Sequence, residues 1–352
     1  MNHLNSLLKS CKMEVYIDKS NLKSFIEARR NPQYKDCYDD CCRMLKRQLH
    51  INYNFQKTKE LFDDDFLSAY FALSNEGQGW SEDVDSYLSE MFPSRPIKSN
   101  VAIGFSKKSQ YSSIFLIDDE KTKLLIDKGT FVVGTAGKEV ETLNRLFCGK
   151  DYDFHKLYDI QSKASFPNWD QLSNDGLNLP LTDIIVMDRY LGGQISDRLT
   201  PYNIYKLLEV LVEHVKAEIN VVFFCNKSFY NKELRTDITP DWDLFRKEVR
   251  DKVKKKTEVK CNVTIVFYSQ SNSPHDRIIF TNYMLYRSGD SFEYFNSKGN
   301  AISKGKSFDV NSLAKKDNYD FAMTIIGDIQ KLCDGLKSDM IIGDRKSNYL
   351  KF

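Results

Sequence analysis

The sequence contains little proline and glycine and no long apolar run. Its 352 residues include 8 prolines and 16 glycines, too few for a long flexible linker between folded parts. The longest apolar runs, such as residues 221–225, are far too short to cross a bilayer. The start of the chain lacks a charged segment followed by an apolar one, so we expect neither a secretory signal nor a transmembrane segment. These absences predict a cytoplasmic protein.

Net charge and cysteine pattern exclude further classes. The net charge of +2 means that any basic surface must be local. The 8 cysteines are irregularly spaced and, without a secretory signal, are expected to be reduced thiols. Cys37, Cys41 and Cys42 lie close together but lack a fourth ligand at zinc-site spacing. Residues 134–139 contain glycine but not the P-loop pattern. We therefore expect neither a bound metal nor a cofactor.

Length and composition favour two α/β domains. Hydrophobic residues make up 41% and charged residues 28% of the chain, as in ordinary globular proteins. A chain of 352 residues exceeds one typical domain. We place a mixed α/β module of unknown role at residues 1–150, a turn-rich linker at 151–175 and a second α/β domain at 176–352. Strands alternate with helices in the second domain, which predicts a mixed, largely parallel sheet.

Apolar periodicity predicts the individual elements. In the first module the predicted strands are residues 13–17, 99–105, 112–118 and 127–135, and the predicted helices include 34–49 and 137–147. In the second domain the predicted strands are residues 183–188, 220–225, 261–268, 277–281 and 283–287, and the predicted helices are 202–217, 241–256 and 321–336.

One segment of the second domain carries regularly spaced polar residues. Residues 275–291 read HDRIIFTNYMLYRSGDS, and His275, Arg277, Asn282 and Gly289 follow the spacing H-x-R-x(4)-N-x(6)-G. A histidine where a loop enters a strand can act as a nucleophile toward phosphorus. Arg277 lies two residues further, on the same face of the strand, and can hold a phosphate in a bidentate fork.

Further polar residues are expected beside this motif. Ser288, Gly289 and Ser291 belong to a turn of small residues, whose amides and hydroxyls are candidates to cradle phosphate oxygens. Upstream, an apolar run ends in Asp188 and Arg189. We expect these five residues to contribute to one binding site.

These motifs resemble the phospholipase D superfamily, whose motif is H-x-K-x(4)-D-x(6)-G-S. The resemblance is closer to its degenerate branch, which includes the C-terminal phospholipase-D-like domain of microtubule-interacting-and-transport proteins and bacterial relatives. It covers about residues 175–335 and includes IIVMDRYL upstream. It implies a phospholipase-D-like α/β fold and catalytic roles for His275, Arg277 and Asn282. Arginine and asparagine replace the lysine and aspartate of active members, and the chain has a single copy of the motif.

Two functions follow from the resemblance, beside a structural alternative. The first is a phosphate-binding or anion-binding accessory protein, whose ligand is a nucleic acid, a nucleotide or an anionic lipid. Bacterial proteins with such domains are often defence-system components, which implies a protein partner. The second is a homodimeric, metal-independent phosphodiesterase or nuclease that uses His275 of each chain, because active members bring two motifs to one site. In the structural alternative, His275, Asp276 and Arg277 only pin a loop.

Acidic residues at strand ends in the first module favour a third function. Asp18, Asp118 and Asp119 lie at the ends of predicted strands, and residues 63–65 are three further aspartates. Strand-end carboxylates bind Mg²⁺ in metal-dependent nucleases, including PIN-like domains. Aspartates at such positions also form turns and helix caps.

A basic run lies at residues 246–260. It includes Lys254, Lys255 and Lys256, which are candidates to bind nucleic acid or an anionic membrane. The alternative is a solvated helix face, as charge runs usually are. Stacking aromatic residues are not interleaved within the run, which disfavours single-strand binding there.

Overall fold

The computed structural model describes most of the second half of the chain and separate parts of the first half. The described residues are 13–17, 19–35, 38, 41, 49–53, 113–116, 131–133, 138–146, 155–160, 166–179, 181–215, 218–231, 234–268, 277–302, 306–313 and 316–352. Contacts divide the chain into a first unit, Met1–Phe154 with Leu313–Asp320, and a second unit, His155–Ser312 with Phe321–Phe352.

The first unit contains a parallel sheet. Its described strands are β1 (Met13–Ile17), β2 (Leu49–Tyr53), β3 (Ser113–Leu116) and β4 (Phe131–Val133), and its described α-helices are α1 (Lys19–Glu27) and α2 (Glu139–Leu146). The strand order is β2-β1-β3-β4, and each neighbouring pair is parallel. Two 3₁₀ turns, Ala28–Arg30 and Pro32–Tyr34, follow α1. β1, β3, β4 and α2 lie within predicted elements, whereas β2 was not predicted as a strand. The predicted strand at 99–105 lies outside the described residues.

The second unit is built on a larger mixed sheet. Its described strands are β5 (His155–Asp159), β6 (Asp183–Met187), β7 (Ile219–Cys225), β10 (Cys261–Phe267), β11 (Arg277–Thr281), β12 (Met284–Ser288), β13 (Ser307–Ser312) and β14 (Ile341–Gly343). Among the described residues, their order is β14-β10-β7-β6-β11-β12-β13-β5. A separate hairpin pairs β8 (Phe229–Asn231) with β9 (Thr236–Ile238).

The prediction of a mixed sheet is confirmed, but the prediction of a largely parallel one is wrong. In the described sheet only β6–β7 and β7–β10 are parallel, and the other five pairings are antiparallel. The central strands β6, β7 and β10 are buried throughout, as continuous apolar runs predict. The antiparallel half arises because β11 and β12 are joined by only two residues, Asn282 and Tyr283, which form a tight hairpin.

Five described α-helices belong to the second unit, the last of them with its first residues, 316–320, in the first unit. They are α3 (Asp170–Asn174), α4 (Leu191–Ser196), α5 (Ile204–Leu211), α6 (Trp242–Thr257) and α7 (Lys316–Gly335), with 3₁₀ turns at Thr200–Tyr202 and Ser338–Met340. The side chain of Asp241 caps α6 by accepting a hydrogen bond from the N–H of Leu244 at 2.9 Å. The helix ends where Glu258 adopts a left-handed conformation with φ of 61°.

The region expected to be a linker contains regular structure. β5 forms an edge of the larger sheet by pairing with β13, and α3 follows shortly after it. Within this region Trp169 packs against Tyr294 and Phe308 in a buried aromatic cluster. The domain boundaries themselves stay a prediction. No helix in the described part of the chain has the length and apolar character needed to cross a membrane.

Candidate functional site

The ends of the central strands define one edge of the larger sheet, here called the carboxyl edge. Because β6, β7 and β10 are parallel, Asp188, Asn226 and Tyr268, which follow them, lie along this edge. β11 runs antiparallel to β6, and β12 antiparallel to β11, so Arg277 and Ser288 reach the same edge. Ligands of open α/β sheets bind outside the carboxyl ends of the parallel strands.

Asp188 is a buried carboxyl group that joins several segments at the carboxyl edge. It is 2% exposed. Its Oδ1 accepts a hydrogen bond from the N–H of Tyr190 at 3.0 Å. Its Oδ2 accepts from Ser291 Oγ at 2.6 Å, from the N–H of Phe292 at 3.1 Å and from Gln194 Nε2 at 3.2 Å. These bonds tie the end of β6 to α4 and to the turn after β12.

The surroundings of Asp188 act on its ionisation in opposite directions. Burial raises the pKa of the Asp188 carboxyl above its ordinary value. The hydrogen bonds from Ser291, Tyr190 and Phe292 and the positive charge of Arg277 oppose this rise. Asp188 is therefore both a structural hub and an electrostatic neighbour of Arg277.

Two arginine side chains lie against one exposed tyrosine. Tyr190 is 43% exposed, and the Cζ atoms of Arg189 and Arg277 lie 4.6 Å and 4.9 Å from its ring centroid, within cation–π range. Arg189 Nη2 donates to Tyr190 Oη at 2.6 Å, and Arg277 Nη1 donates to the carbonyl oxygen of Gly289 at 2.7 Å. Both guanidinium groups are permanently charged. We call Arg189, Tyr190 and Arg277 the arginine cluster.

The small-residue turn is engaged within the protein. Ser288 Oγ accepts hydrogen bonds from Tyr294 Oη at 2.6 Å and from the N–H of Asp290 at 3.1 Å. The Ser291 hydroxyl donates to Asp188, as does the N–H of Phe292. The turn thus shapes the carboxyl edge, and its role as a phosphate cradle stays a prediction.

The helix α4, which begins directly after Tyr190 of the arginine cluster, is closely packed at its start. A Cβ atom on Gly192, two residues after Tyr190, would lie 3.3 Å from Phe229 Cδ1, 3.4 Å from Pro240 Cγ and 3.8 Å from Trp242 Cζ2. The start of α4 therefore packs closely on the β8–β9 hairpin and on the start of α6.

No family model and no curated protein matches this sequence. The geometry of the described residues and the motif itself are therefore the evidence for function. His275 lies outside the described residues, as do Asp18, Asp118 and Asp119. Within the described part of the chain, no group of three or more His, Cys, Asp or Glu side chains is arranged to hold a metal ion.

Asn282 lies at the other end of β11 from Arg277. Five residues of extended chain separate them by about 17 Å. Asn282 Oδ1 accepts hydrogen bonds from the N–H groups of Thr182 and Asp183 at 2.8 Å and 3.1 Å, and its Nδ2 donates to Thr182 Oγ1 at 2.9 Å. The motif asparagine therefore anchors the entry into β6, away from the arginine cluster.

Asp183 is buried beside it, at what we call the amino edge of the sheet. Its carboxyl accepts hydrogen bonds from Ser347 Oγ at 3.0 Å and from the backbone N–H of Asn348 at 2.7 Å. Burial raises the pKa of Asp183 to about 6, although these donors oppose the rise. The C-terminal segment of the chain is thus fastened to the amino edge.

The predicted basic run also lies toward the amino edge. Lys254, Lys255 and Lys256 form the last turn of α6, and the chain then enters β10 at its amino end. Lys256 Nζ pairs with Glu213 Oε1 at 3.2 Å. The structure therefore does not bring these lysines together with Arg277.

Two residues of the carboxyl edge were not predicted. Tyr190 follows Asp188 and Arg189 directly, and an aromatic residue after a strand-end acid was the only signal for it. Gln194 is fully buried, with Nε2 bonded to Asp188 and Ser291. A glutamine in a short helix carries no sequence signal, because its role depends on a partner far away in the chain.

Proposed function

We propose that the second unit binds phosphate groups at the arginine cluster. The chain would then be an accessory protein, built on a degenerate phospholipase-D-like domain, that recognises a nucleic acid, a nucleotide or an anionic lipid. The observation that supports this most is the convergence of Arg189 and Arg277 on the exposed ring of Tyr190 at the carboxyl edge.

Charge and hydrogen-bonding capacity favour an anionic ligand there. Two permanent positive charges lie near one buried carboxyl group, Asp188, whose pKa burial raises. Arg189 Nε is buried without a hydrogen-bond partner in the described structure, so this donor is unsatisfied. Guanidinium groups match phosphate oxygens in a bidentate geometry. An oxyanion between the arginines would offset their mutual repulsion.

Two further carboxyl groups, of Asp290 and Glu293, belong to the segment that follows β12. Asp290 lies in the exposed turn after β12. Burial raises the pKa of Glu293, and Asp197 and Asp188 raise it further against the opposing effect of Lys306. Since the charge of Glu293 depends on pH, binding is compared between variants at one fixed pH.

The test is a titration of each variant with three probes. They are a fluorescent single-stranded oligonucleotide, a labelled nucleoside triphosphate and vesicles containing phosphatidylserine. We expect Arg277→Ala to weaken binding of at least one probe about tenfold or more, since charge-assisted hydrogen bonds are lost. Arg277→Lys keeps the charge but loses the fork, so it should recover only part of the affinity.

Lys255→Ala is the charge-matched comparison, since it removes one positive charge at the far end of α6. We expect it to leave the affinity unchanged. Equal affinities of wild type and Arg277→Ala for every probe would refute the proposal. Weakening by Lys255→Ala alone would move the binding site to the basic run.

A second candidate function, metal-dependent nuclease action by the first unit, is favoured by its sheet order. In the order β2-β1-β3-β4 the direction of winding reverses between β1 and β3, where ligands bind in this kind of fold. In the sequence, Asp18 directly follows β1, and Asp118 and Asp119 come soon after β3. β1 and β3 pair in parallel with Ile17 opposite Leu116, so the two chain segments leave the sheet at the same edge.

A buried glutamate starts the helix that follows β4. Glu139 Oε1 accepts a hydrogen bond from Asn21 Nδ2 at 2.8 Å, and Oε2 accepts from Ser24 Oγ at 3.3 Å. Asn21 is fully buried, and its Oδ1 has no hydrogen-bond partner in the described structure. Carboxylate and amide oxygens are the ligands that Mg²⁺ prefers.

This candidate predicts cleavage of nucleic acid that requires Mg²⁺ or Mn²⁺. Asp18→Asn and Glu139→Gln should both abolish it, whereas Glu141→Gln, an exposed acid in the same helix turn, should not. Metal-dependent cleavage that survives Asp18→Asn would exclude the first unit as its source.

A further inference from the structure

Tyr190 presents an aromatic ring at the carboxyl edge in a fixed position. Its side chain is largely exposed, although its backbone N–H is bonded to the buried carboxyl group of Asp188 at 3.0 Å. The guanidinium groups of Arg189 and Arg277 lie over the same ring, and Arg189 also donates to its hydroxyl oxygen. A ring that is held in this way loses little freedom when a flat ligand group stacks on it.

Exposed aromatic side chains are concentrated on this side of the second unit. In the described part of that unit, four tyrosine, phenylalanine or tryptophan side chains are more than a third exposed, and they are Tyr190, Tyr202, Tyr230 and Phe321. Tyr202 ends the 3₁₀ turn between α4 and α5, before the chain returns to the amino end of β7. Tyr230 belongs to the β8–β9 hairpin, which packs on the start of α4. Three of the four therefore border the carboxyl edge.

This arrangement suits a nucleobase. Bases stack on tyrosine rings and on the planes of arginine guanidinium groups, and both kinds of surface lie side by side in the arginine cluster. Stacking tolerates every base, since each base has a π face. The basic run at residues 246–260 contains no aromatic residue, so the carboxyl edge combines two features that the run does not.

An unpaired acceptor beside the cluster favours a base over a bare phosphate. Asn226 follows β7, and the register that pairs Met187 with Phe224 continues to place it beside Arg189. The Oδ1 of Asn226 and the Nε of Arg189 are both buried without a hydrogen-bond partner among the described residues. A phosphate offers acceptors and would satisfy Arg189 alone. A base offers donors as well, and would satisfy both groups after rotation of the two side chains.

Exposed carboxylates around the cluster disfavour an anionic membrane as the source of the phosphate. Asp197 and Asp290 are exposed. Burial raises the pKa of Glu293, and Asp197 lies close enough to raise it further. The negative potential of an anionic membrane extends over its whole surface and would repel these groups. A nucleotide is small enough to contact the arginine cluster alone.

We propose that the phosphate bound at the arginine cluster belongs to a nucleotide, whose base stacks on the ring of Tyr190. This inference rests on the proposed function, because the two arginines hold the phosphate. The chemistry that is recognised is a nucleobase attached to phosphate, which a free nucleotide and a single-stranded nucleic acid both offer. The ring provides the part of the affinity that depends on the base, and the arginines provide the part that depends on charge.

The test compares probes with and without a base by isothermal titration calorimetry in the presence of EDTA. The first pair is each of the four ribonucleoside triphosphates against inorganic tripolyphosphate. The second pair is a mixed-sequence single-stranded oligonucleotide against an abasic one of the same length. We expect the base to strengthen binding about tenfold or more in at least one pair. A difference in the first pair identifies a free nucleotide as the ligand, and a difference in the second pair identifies a single strand.

Variants of the ring test its role directly. Tyr190→Leu should remove the difference within the pair and leave the affinity for the base-free probe unchanged, since both arginines remain. Tyr190→Phe keeps the ring and should keep the difference. Phe321→Leu is the matched comparison, because Arg287 lies over the exposed ring of Phe321 with its Cζ 4.9 Å from the ring centroid. We expect this variant to bind every probe as the wild type does.

The outcomes separate this inference from the proposed function. Equal affinities of the wild type within both pairs, all of them weakened by Arg277→Ala, would leave a phosphate site without a base and overturn the inference alone. Binding of phosphatidylserine vesicles without binding of any other probe would overturn it in favour of a lipid. A difference lost in Phe321→Leu and kept in Tyr190→Leu would place the base elsewhere and also overturn it. A wild type that binds none of these probes would overturn both proposals.

Discussion

Ser291 Oγ donates a 2.6 Å hydrogen bond to the buried carboxyl group of Asp188, although 103 positions separate the two residues. This bond closes the turn after β12 onto the end of β6. The bond also helps to position the arginine cluster, because Asp188 accepts a hydrogen bond from the N–H of Tyr190 as well.

Ser291→Ala should destabilise the second unit. It removes the shortest donor to a buried carboxyl group, and the loss of such a donor costs about 1 to 3 kcal/mol. Urea unfolding measures the change, with Ser297→Ala, at an exposed position in the following loop, as the comparison. Equal unfolding midpoints for Ser291→Ala and wild type would contradict a stabilising role for this bond.

Asp183 should make folding more favourable at acidic pH. Burial raises its pKa in the folded protein to about 6 from an ordinary value of 3.8. The folded state therefore holds a proton more tightly than the unfolded state, and the resulting stability is present below pH 4 and lost as the pH rises through 6. The loss amounts to at most about 3 kcal/mol.

Asp183→Asn should remove that part of the pH dependence. The measurement is the free energy of unfolding of both proteins between pH 4 and pH 7. The quantity compared is the slope of the free energy of unfolding against pH. Its absolute value also changes, since the substitution removes an oxygen that accepts hydrogen bonds from Ser347 and Asn348. Parallel curves for the two proteins would show that Asp183 does not titrate in this range.

Gly343→Ala should be strongly destabilising. Gly343 has φ of 102°, and a Cβ there would lie 2.1 Å from the carbonyl oxygen of Val263. The strained backbone and the clash together cost about 3 kcal/mol. Thermal unfolding compares it with Gly335→Ala, where a Cβ meets nothing within 4 Å. A similar melting temperature for both variants would contradict this expectation.

His275→Ala should not change any metal-independent phosphodiesterase activity. Arg277 and Asn282 lie at opposite ends of β11, about 17 Å apart, and Asn282 accepts hydrogen bonds from the N–H groups of Thr182 and Asp183, so these motif residues do not meet at one site. The assay follows cleavage of a generic phosphodiester and of oligonucleotides in the presence of EDTA. Faster cleavage by wild type than by His275→Ala would favour the two-histidine enzyme.

Strands with a continuous apolar sequence were predictable and the edges of the sheet were not. The predicted strand at 261–268 matches β10, and the predicted strand at 277–281 matches β11. Such strands are buried on both faces and so carry a strong signal. β5 went unpredicted because only Tyr158 among its residues is buried.

The candidate site was predictable only where a motif residue lies at the carboxyl edge. Arg277, Asp188 and Arg189 do come together. Asn282 does not join them. The spacing of residues along a strand predicts which face of the sheet each side chain lies on, but it does not predict which residues of other strands lie at the same edge of the sheet. The alternation of apolar and polar residues along β11 does not reveal that this strand runs antiparallel to β6.

The close packing of Gly192 on Trp242 makes the fluorescence of this tryptophan sensitive to the position of α4. The chain has three tryptophans, and the indole of Trp242 lies next to the helix that starts after Tyr190. A ligand that displaces the start of α4 would therefore alter the emission of Trp242 without any attached dye. Comparison with Trp242→Phe isolates that contribution, so occupancy of the carboxyl edge is readable by intrinsic fluorescence.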